Sequence, residues 1–274
     1  MNFYSSILLG IIQGLTEFIP VSSTAHLLIG QTLLGLPADE AMFSFLVLVQ
    51  IGTIVSLVVY FWKDLLSILL DTLKNLSGLR NFQSLPGNAK MGWYILIATI
   101  PALLAGYLLK DTVEALFRLP LLEAAIRLFS AAILLALAEW LTNKDRQLDS
   151  MTGLDALIVG FFQIISVFPG ASRSGSTISG GMFRGLDRPA AARFAFLMSV
   201  PVMLAAGAYE ILDVLRMPGL AEFLPALAVG FITAAIVGWL AIRWLLNYLS
   251  KRSLYVFSIY CAIVGVIVLI THLI

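Results

Sequence analysis

Long apolar stretches without charge dominate this chain, and their lengths predict helices that cross a bilayer. Residues 43–61, 91–109, 225–242 and 254–271 contain no Asp, Glu, Lys or Arg, and each reaches the roughly 17–25 residues a membrane span needs. Residues 122–142 are as long but hold Glu123, Arg127 and Glu139. Residues 190–212 have an uncharged centre, Phe194 to Tyr209, between Arg193 and Glu210. Six spans are expected. Two other apolar stretches are broken. Residues 1–36 are interrupted at Pro20-Val21-Ser22-Ser23-Thr24, and residues 153–186 at Pro169-Gly170-Ala171-Ser172-Arg173-Ser174. Each half of a broken stretch, about 15 residues, makes a helix of about 22 Å, too short for a hydrocarbon core of about 30 Å. Irregular backbone survives at membrane depth only where protein buries it or a wet cavity accepts it. Both stretches therefore read as re-entrant helical hairpins whose tips meet inside the protein.

The broken stretches resemble each other. Gly10, Gln13 and Thr16 match Gly160, Gln163 and Ser166, and Pro20 and Ser23 match Pro169 and Ser172. Phe43 and Leu46 match Phe194 and Leu197, and Tyr60 matches Tyr209. Matches about 150 residues apart point to a two-fold internal repeat, with halves near 1–110 and 120–274 inside one membrane domain, 1–274. With the N-terminus outside, Lys110, Arg118 and Arg216 fall outside, Arg127 and Arg173 lie within the membrane, and every other Lys and Arg is cytoplasmic. That bias follows the positive-inside rule. It makes the first hairpin enter from outside and the second from the cytoplasm, so the repeat is inverted. Residues 65–76 place leucines and an isoleucine on one face opposite Asp71 and Lys74, the pattern of a helix lying in the interface.

Composition supports this all-α integral membrane fold. Hydrophobic residues are 60% of the chain and charged residues 12%, half the share of about 25% in soluble domains. An ordinary water-soluble enzyme and a disordered chain are excluded. A net charge of +1 predicts no nucleic-acid partner, and a single cysteine, Cys261, excludes an internal disulfide. Met1 to Gly10 has no basic segment, so no cleavable signal is expected.

Ionisable side chains inside a membrane cost about 2.5–3.5 kcal/mol each on insertion scales and mark functional sites. Glu17, His26, Arg127, Glu139 and Arg173 qualify, and Glu17, His26 and Arg173 sit at or beside the breaks. Gln13 and Glu17 are one helical turn apart and share a face. Pro20 ends that helix, and Ser22, Ser23 and Thr24 suit the cap of the next. Ser23 and His26 would share a face too, a hydroxyl beside a possible base; otherwise the serines cap and His26 is a polar core residue. In the second break, small residues and a helix start offer an anion site, and Arg173 adds a fork for two phosphate oxygens. Alternatively Arg173 pairs with a carboxylate such as Glu17 or Glu139. For Arg127 and Glu139 structural ion pairing is favoured, and for the glycines close helix packing.

Gln-Gly-Leu-Thr-Glu at 13–17, Pro-Val-Ser-Ser-Thr-Ala-His at 20–26 and Pro-Gly-Ala-Ser-Arg-Ser-Gly-Ser-Thr at 169–177 resemble the undecaprenyl-diphosphate phosphatase family linked to bacitracin resistance. The resemblance covers nearly the whole chain. It implies removal of the terminal phosphate from undecaprenyl diphosphate, leaving the monophosphate carrier used for peptidoglycan, in a bacterial plasma (inner) membrane. It implies functional roles for Gln13 and Glu17, for Ser22, Ser23, Thr24 and His26, and for Ser172, Arg173, Ser174 and Thr177. It also implies a divalent cation such as Mg2+ or Ca2+, and homodimers. Gln13 stands where some members have Glu, leaving one carboxylate fewer for a metal.

The expected chemistry is phosphoryl transfer at a site open to the outer, periplasmic side. Arg173 and backbone N–H groups from Ser172 to Thr177 hold phosphate oxygens, and Glu17 with Gln13 holds or orients the cation. Ser23 attacks with His26 as base; attack by His26, or by a water it activates, is the other route. The rival reading is an inverted-repeat carrier or flippase for a lipid phosphate or small anion.

Overall fold

The computed structural model describes residues 2–37, 39–109, 120–166, 172–214 and 220–273. Lys110, Arg118, Arg216 and the Pro169-Gly170-Ala171 part of the second break lie outside them. Among the described residues there are eleven α-helices and no strand, with one isolated bridge between Arg146 and Leu186. Up to residue 109 these are α1 (Phe3–Thr16), α2 (Ser23–Leu33), α3 (Glu40–Tyr60), α4 (Trp62–Lys74) and α5 (Gly87–Leu108). From residue 120 on they are α6 (Pro120–Leu141), α7 (Gly153–Ile165), α8 (Arg173–Phe183), α9 (Arg188–Val214), α10 (Leu220–Leu249) and α11 (Tyr255–Leu273).

Five helices are long and apolar enough to cross a membrane, through Ala41–Tyr60, Gly87–Leu108, Leu121–Leu141, Leu224–Leu249 and Tyr255–Leu273. They match five of the six expected spans. The sixth falls in α9, which has 27 residues and is not among the five; the side chains of residues 206 and 209–214 lie outside the described residues. The two broken stretches form α1–α2 and α7–α8, with α1 and α7 only 14 and 13 residues long. α4 covers the expected interfacial segment: Ile68 and Thr72 are buried, while Leu66, Leu69, Leu70 and Leu73 are exposed.

Burial is reversed relative to a soluble protein. Large apolar side chains such as Phe43, Trp140, Ile236 and Val256 are exposed, as lipid-facing positions require. The seams between helices use small residues, because lipid is as apolar as leucine and association depends on close contact. α6 buries Ala124, Ala125, Ala131, Ala132 and Ala138 and packs along α11. Gly10 of α1 lies so close to α10 that a Cβ would come 2.6 Å from the Gly230 carbonyl oxygen. Gly160 of α7 meets α5 the same way, at 2.5 Å from the Ala98 oxygen. Thus α1 packs on α10 as α7 packs on α5, and α3 and α9 pack on each other between these pairs.

Candidate active site

α1 stops where Pro20 removes a backbone donor. Glu17 still has helical dihedrals and donates its N–H to the Gln13 carbonyl at 3.0 Å, so its side chain leaves the end of α1 in a defined direction. Phe18, 1% exposed, anchors the turn by packing its ring edge-on against Phe196. The chain then reverses through Ser22, whose φ of +69° is unusual for a residue with a Cβ. The Ser22 hydroxyl accepts from Ala25 N–H and caps α2, so Ser23 becomes the first residue of that helix. The second break repeats the design. The Ser172 hydroxyl accepts from Gly175 N–H at 3.2 Å, and Arg173 is the first residue of α8. The two caps are therefore Ser22 and Ser172. The turns face each other: a Cβ on Gly175 would lie 3.8 Å from Pro20.

Glu17 joins them. Its side chain is 2% exposed and forms an ion pair with Arg173 across the two turns. The other carboxylate oxygen accepts from Gln13 Nε2 at 2.6 Å and from Ser23 Oγ at 2.7 Å. Gln50 of α3 adds a longer bond, 3.4 Å from its Nε2 to Glu17 Oε1. These groups border a cavity of about 240 Å³ whose wall includes Glu17, Ser22, Ser23, Thr24, Ser166, Ser172, Arg173 and Ser174, with Val47, Ile51, Val202 and Met203 as its apolar side. Gln50 and Arg127 also line it.

Three expected members, Thr177, His26 and Gln13, are not on this wall. Thr177 turns its hydroxyl back to the Arg173 carbonyl at 2.8 Å and does not line the cavity. His26 makes no contact with Ser23. Its Nδ1 lies 2.8 Å from the Ser22 carbonyl oxygen and its Nε2 2.8 Å from the Tyr260 hydroxyl of α11, the two rings nearly parallel at 9°. A carbonyl only accepts, so Nδ1 carries the hydrogen and Nε2 accepts from Tyr260. Ser23 and His26 keep their one-turn spacing in α2, but the hydroxyl is bonded to Glu17 and the ring to Tyr260 of α11. Gln13 is buried behind Glu17 rather than on the wall.

The ion pairing expected of Arg127 and Glu139 forms. Arg127 pairs with Glu123 at 2.8 Å. Glu139 holds Arg188 and Lys144 and accepts from Leu254 N–H. Gln50, Ser166 and Tyr260 were missed. Gln50 and Tyr260 had a readable signal, a polar side chain inside an otherwise apolar run. Among the described residues no three His, Cys, Asp or Glu side chains cluster, so there is no protein-only cage for a metal. Mg2+ more often uses one or two carboxylates with substrate phosphate, and the Glu17 carboxylate on the cavity wall fits that mode, steadied by the amide nitrogens of Gln13 and Gln50.

Comparison with known proteins accords with this geometry. The family described as bacitracin resistance protein BacA matches residues 6–267. A protein of Anaeromyxobacter sp. (strain K) named undecaprenyl-diphosphatase is 41% identical over 262 residues, covering 95% of this chain and 88% of that protein. One of the same name from Chlorobium phaeovibrioides (strain DSM 265 / 1930) is 40% identical over 281 residues, covering 98% and 97%. Another, from Syntrophobacter fumaroxidans (strain DSM 10017 / MPOB), is 36% identical over 269 residues, covering 97% and 95%. With both motif-bearing turns inside a match that spans nearly its whole length, the chain belongs to the bacitracin resistance protein BacA family.

Proposed function

We infer that this membrane protein hydrolyses undecaprenyl diphosphate to undecaprenyl phosphate and inorganic phosphate, the activity for which its relatives are named, and thereby supports peptidoglycan synthesis and bacitracin resistance. One observation carries the reading: a buried carboxylate that holds, at once, a hydroxyl from one turn and a guanidinium from the other. A carrier needs the guanidinium but not the hydroxyl held on a base, and the carrier reading is not favoured.

The diphosphate competes with Glu17 for Arg173. When Arg173 turns its fork to the terminal phosphate, Glu17 loses its counter-charge and becomes the stronger base toward Ser23. The Ser23 oxygen attacks the terminal phosphorus, its proton passes to Glu17, and the bond from phosphorus to the bridging oxygen breaks, releasing undecaprenyl phosphate. Glu17 passes that proton to the departing bridging oxygen, then takes one from water as the water attacks the phosphoserine and gives it to Ser23 Oγ as the serine–phosphorus bond breaks, releasing inorganic phosphate. Arg173 and the N-terminus of α8 face the charge that builds on the phosphoryl oxygens. Ser22, Thr24, Ser172 and Ser174 supply hydroxyls on the wall. His26 acts from behind the site, holding the Ser22 turn. A divalent cation held at Glu17, with Gln13 orienting that carboxylate, would neutralise part of the diphosphate charge.

The same reading makes α3, α5, α6, α9, α10 and α11 the six spans and α1–α2 and α7–α8 the two inverted re-entrant hairpins. It opens the cavity to the periplasmic side of a bacterial inner membrane. Colorimetric phosphate release from undecaprenyl diphosphate by purified protein tests the activity. Arg173→Ala and Ser23→Ala are each expected to lose at least about 1,000-fold in kcat/KM, on the scale of removing one essential group, and a chelator to lower the rate of the parent protein. Acid-stable phosphate on Ser23 after quenching would support the covalent route; full activity of Ser23→Ala would end it.

A further inference from the structure

We propose that Arg127 is a second phosphate-binding residue of this cavity, holding the phosphate nearer the prenyl tail while Arg173 holds the terminal one. The proposal rests on the phosphatase reading. Arg127 projects from α6 into the same cavity as Glu17, Ser23 and Arg173. It is 5% exposed, and its partner Glu123, one turn earlier, is 6% exposed. Both Nε and a terminal nitrogen of Arg127 lie 2.8 Å from Glu123 Oε1.

Packing does not explain this pair. Its neighbours on α6, Ala124, Ala125, Leu128 and Ala131, are fully or almost fully buried and form a small-residue seam. An apolar pair of similar size would hold that seam as well or better, because a buried ion pair barely repays its desolvation.

The cavity needs a second cation. Arg173 is balanced by Glu17 and Arg127 by Glu123, so these paired side chains contribute no net charge. A diphosphate ester brings negative charge on two adjacent phosphate groups. One guanidinium at the α8 turn serves the phosphate that Ser23 attacks. Among the described residues the only other cation on the wall is Arg127; the remaining wall is hydroxyls, Gln50 and the apolar Val47, Ile51, Val202 and Met203. A guanidinium has five donors in a planar fork, which lets Arg127 keep Glu123 and take a phosphate oxygen together. In this arrangement Arg127 discriminates a diphosphate from a monophosphate.

The test compares inhibition by inorganic diphosphate and by inorganic phosphate, alongside KM and kcat for undecaprenyl diphosphate. The variants are Arg127→Gln, Arg127→Lys and the double replacement Arg127→Met/Glu123→Met, which removes both charges and leaves no carboxylate stranded. Arg127→Gln and the double variant should raise KM about ten-fold or more, as expected for losing a charged hydrogen bond, with a smaller change in kcat. Both should bind diphosphate no better than phosphate, while their inhibition by phosphate stays unchanged. Arg127→Lys should keep part of the preference. A double variant that survives heating as the parent does, yet keeps the parent's KM and its preference for diphosphate, would assign Arg127 to structure alone and overturn the proposal. A parent protein that releases no phosphate from any prenyl diphosphate would instead overturn the phosphatase reading.

Discussion

Glu17 is placed to do three things: hold Arg173, accept from Ser23 and stay fixed by Gln13. The motifs around it were legible because each residue type has one strong local meaning. Proline stops a helix, serine caps the next, and a charge at membrane depth needs a reason. Side-chain direction was not legible. Helical spacing brings Ser23 and His26 to one face, yet one bonds to Glu17 and the other to Tyr260, more than two hundred residues along the chain. That difference gives a prediction. If His26 positions the Ser22 turn rather than removing the Ser23 proton, Tyr260→Phe should lower kcat several-fold and leave the shape of the pH–rate profile intact. A limb of the profile near the ordinary histidine range of about 6.5 that moves or vanishes in Tyr260→Phe would restore His26 as the base.

At the scale of elements, the helix boundaries came through well and the contacts between them did not. Charge-free runs define spans without tertiary information. Which helix lies against α1 depends on how closely two backbones can approach, and a glycine signals only that some neighbour is near. Both glycines prove to sit against a neighbour's backbone, Gly10 on α10 and Gly160 on α5. Filling either contact should push a hairpin away from its support. Gly160→Leu and Gly10→Leu are each expected to destabilise by about 1–3 kcal/mol or more, the range for overpacking, measured as faster thermal inactivation in detergent. Activity should fall in both, because the displaced hairpin carries Arg173 or Glu17. Gly35, with no neighbour within 4 Å and a φ of +60°, offers a contrast: replacement there strains only its own turn.

Across the whole molecule, a second charged cluster fastens the α6–α7 connection to the end of α8. Asp155, fully buried, accepts from Arg146, Arg184 and the Thr152 hydroxyl. Burial pushes its carboxyl up, but the hydrogen bonds from Arg146, Arg184 and Thr152 outweigh that and hold it at about 2. The carboxyl titrates below its ordinary value of 3.8, so its contribution is complete above that value and disappears as pH falls through about 2. Asp155→Asn should cost about 2 kcal/mol at neutral pH and flatten the acid limb of stability between those two values, read from unfolding midpoints at stepped pH. An unchanged acid limb would mean that another carboxylate sets it. This lock was invisible in the sequence, where Asp155 reads as an ordinary first-turn acid and Arg146 as a loop charge.

The bond between His26 and Tyr260 also ties the first break to the last helix of the chain. The residues that line the cavity lie between Glu17 and Gly207, so they are all synthesised before the last helix. The turn that presents Ser23 is braced through a phenol that arrives only near the end of translation. A nascent chain already inserted up to α10 therefore carries a complete set of reactive groups with an unsupported trigger. The last helix is thus expected to complete the support of the Ser23 turn, and a chain lacking it should release phosphate more slowly than the full chain.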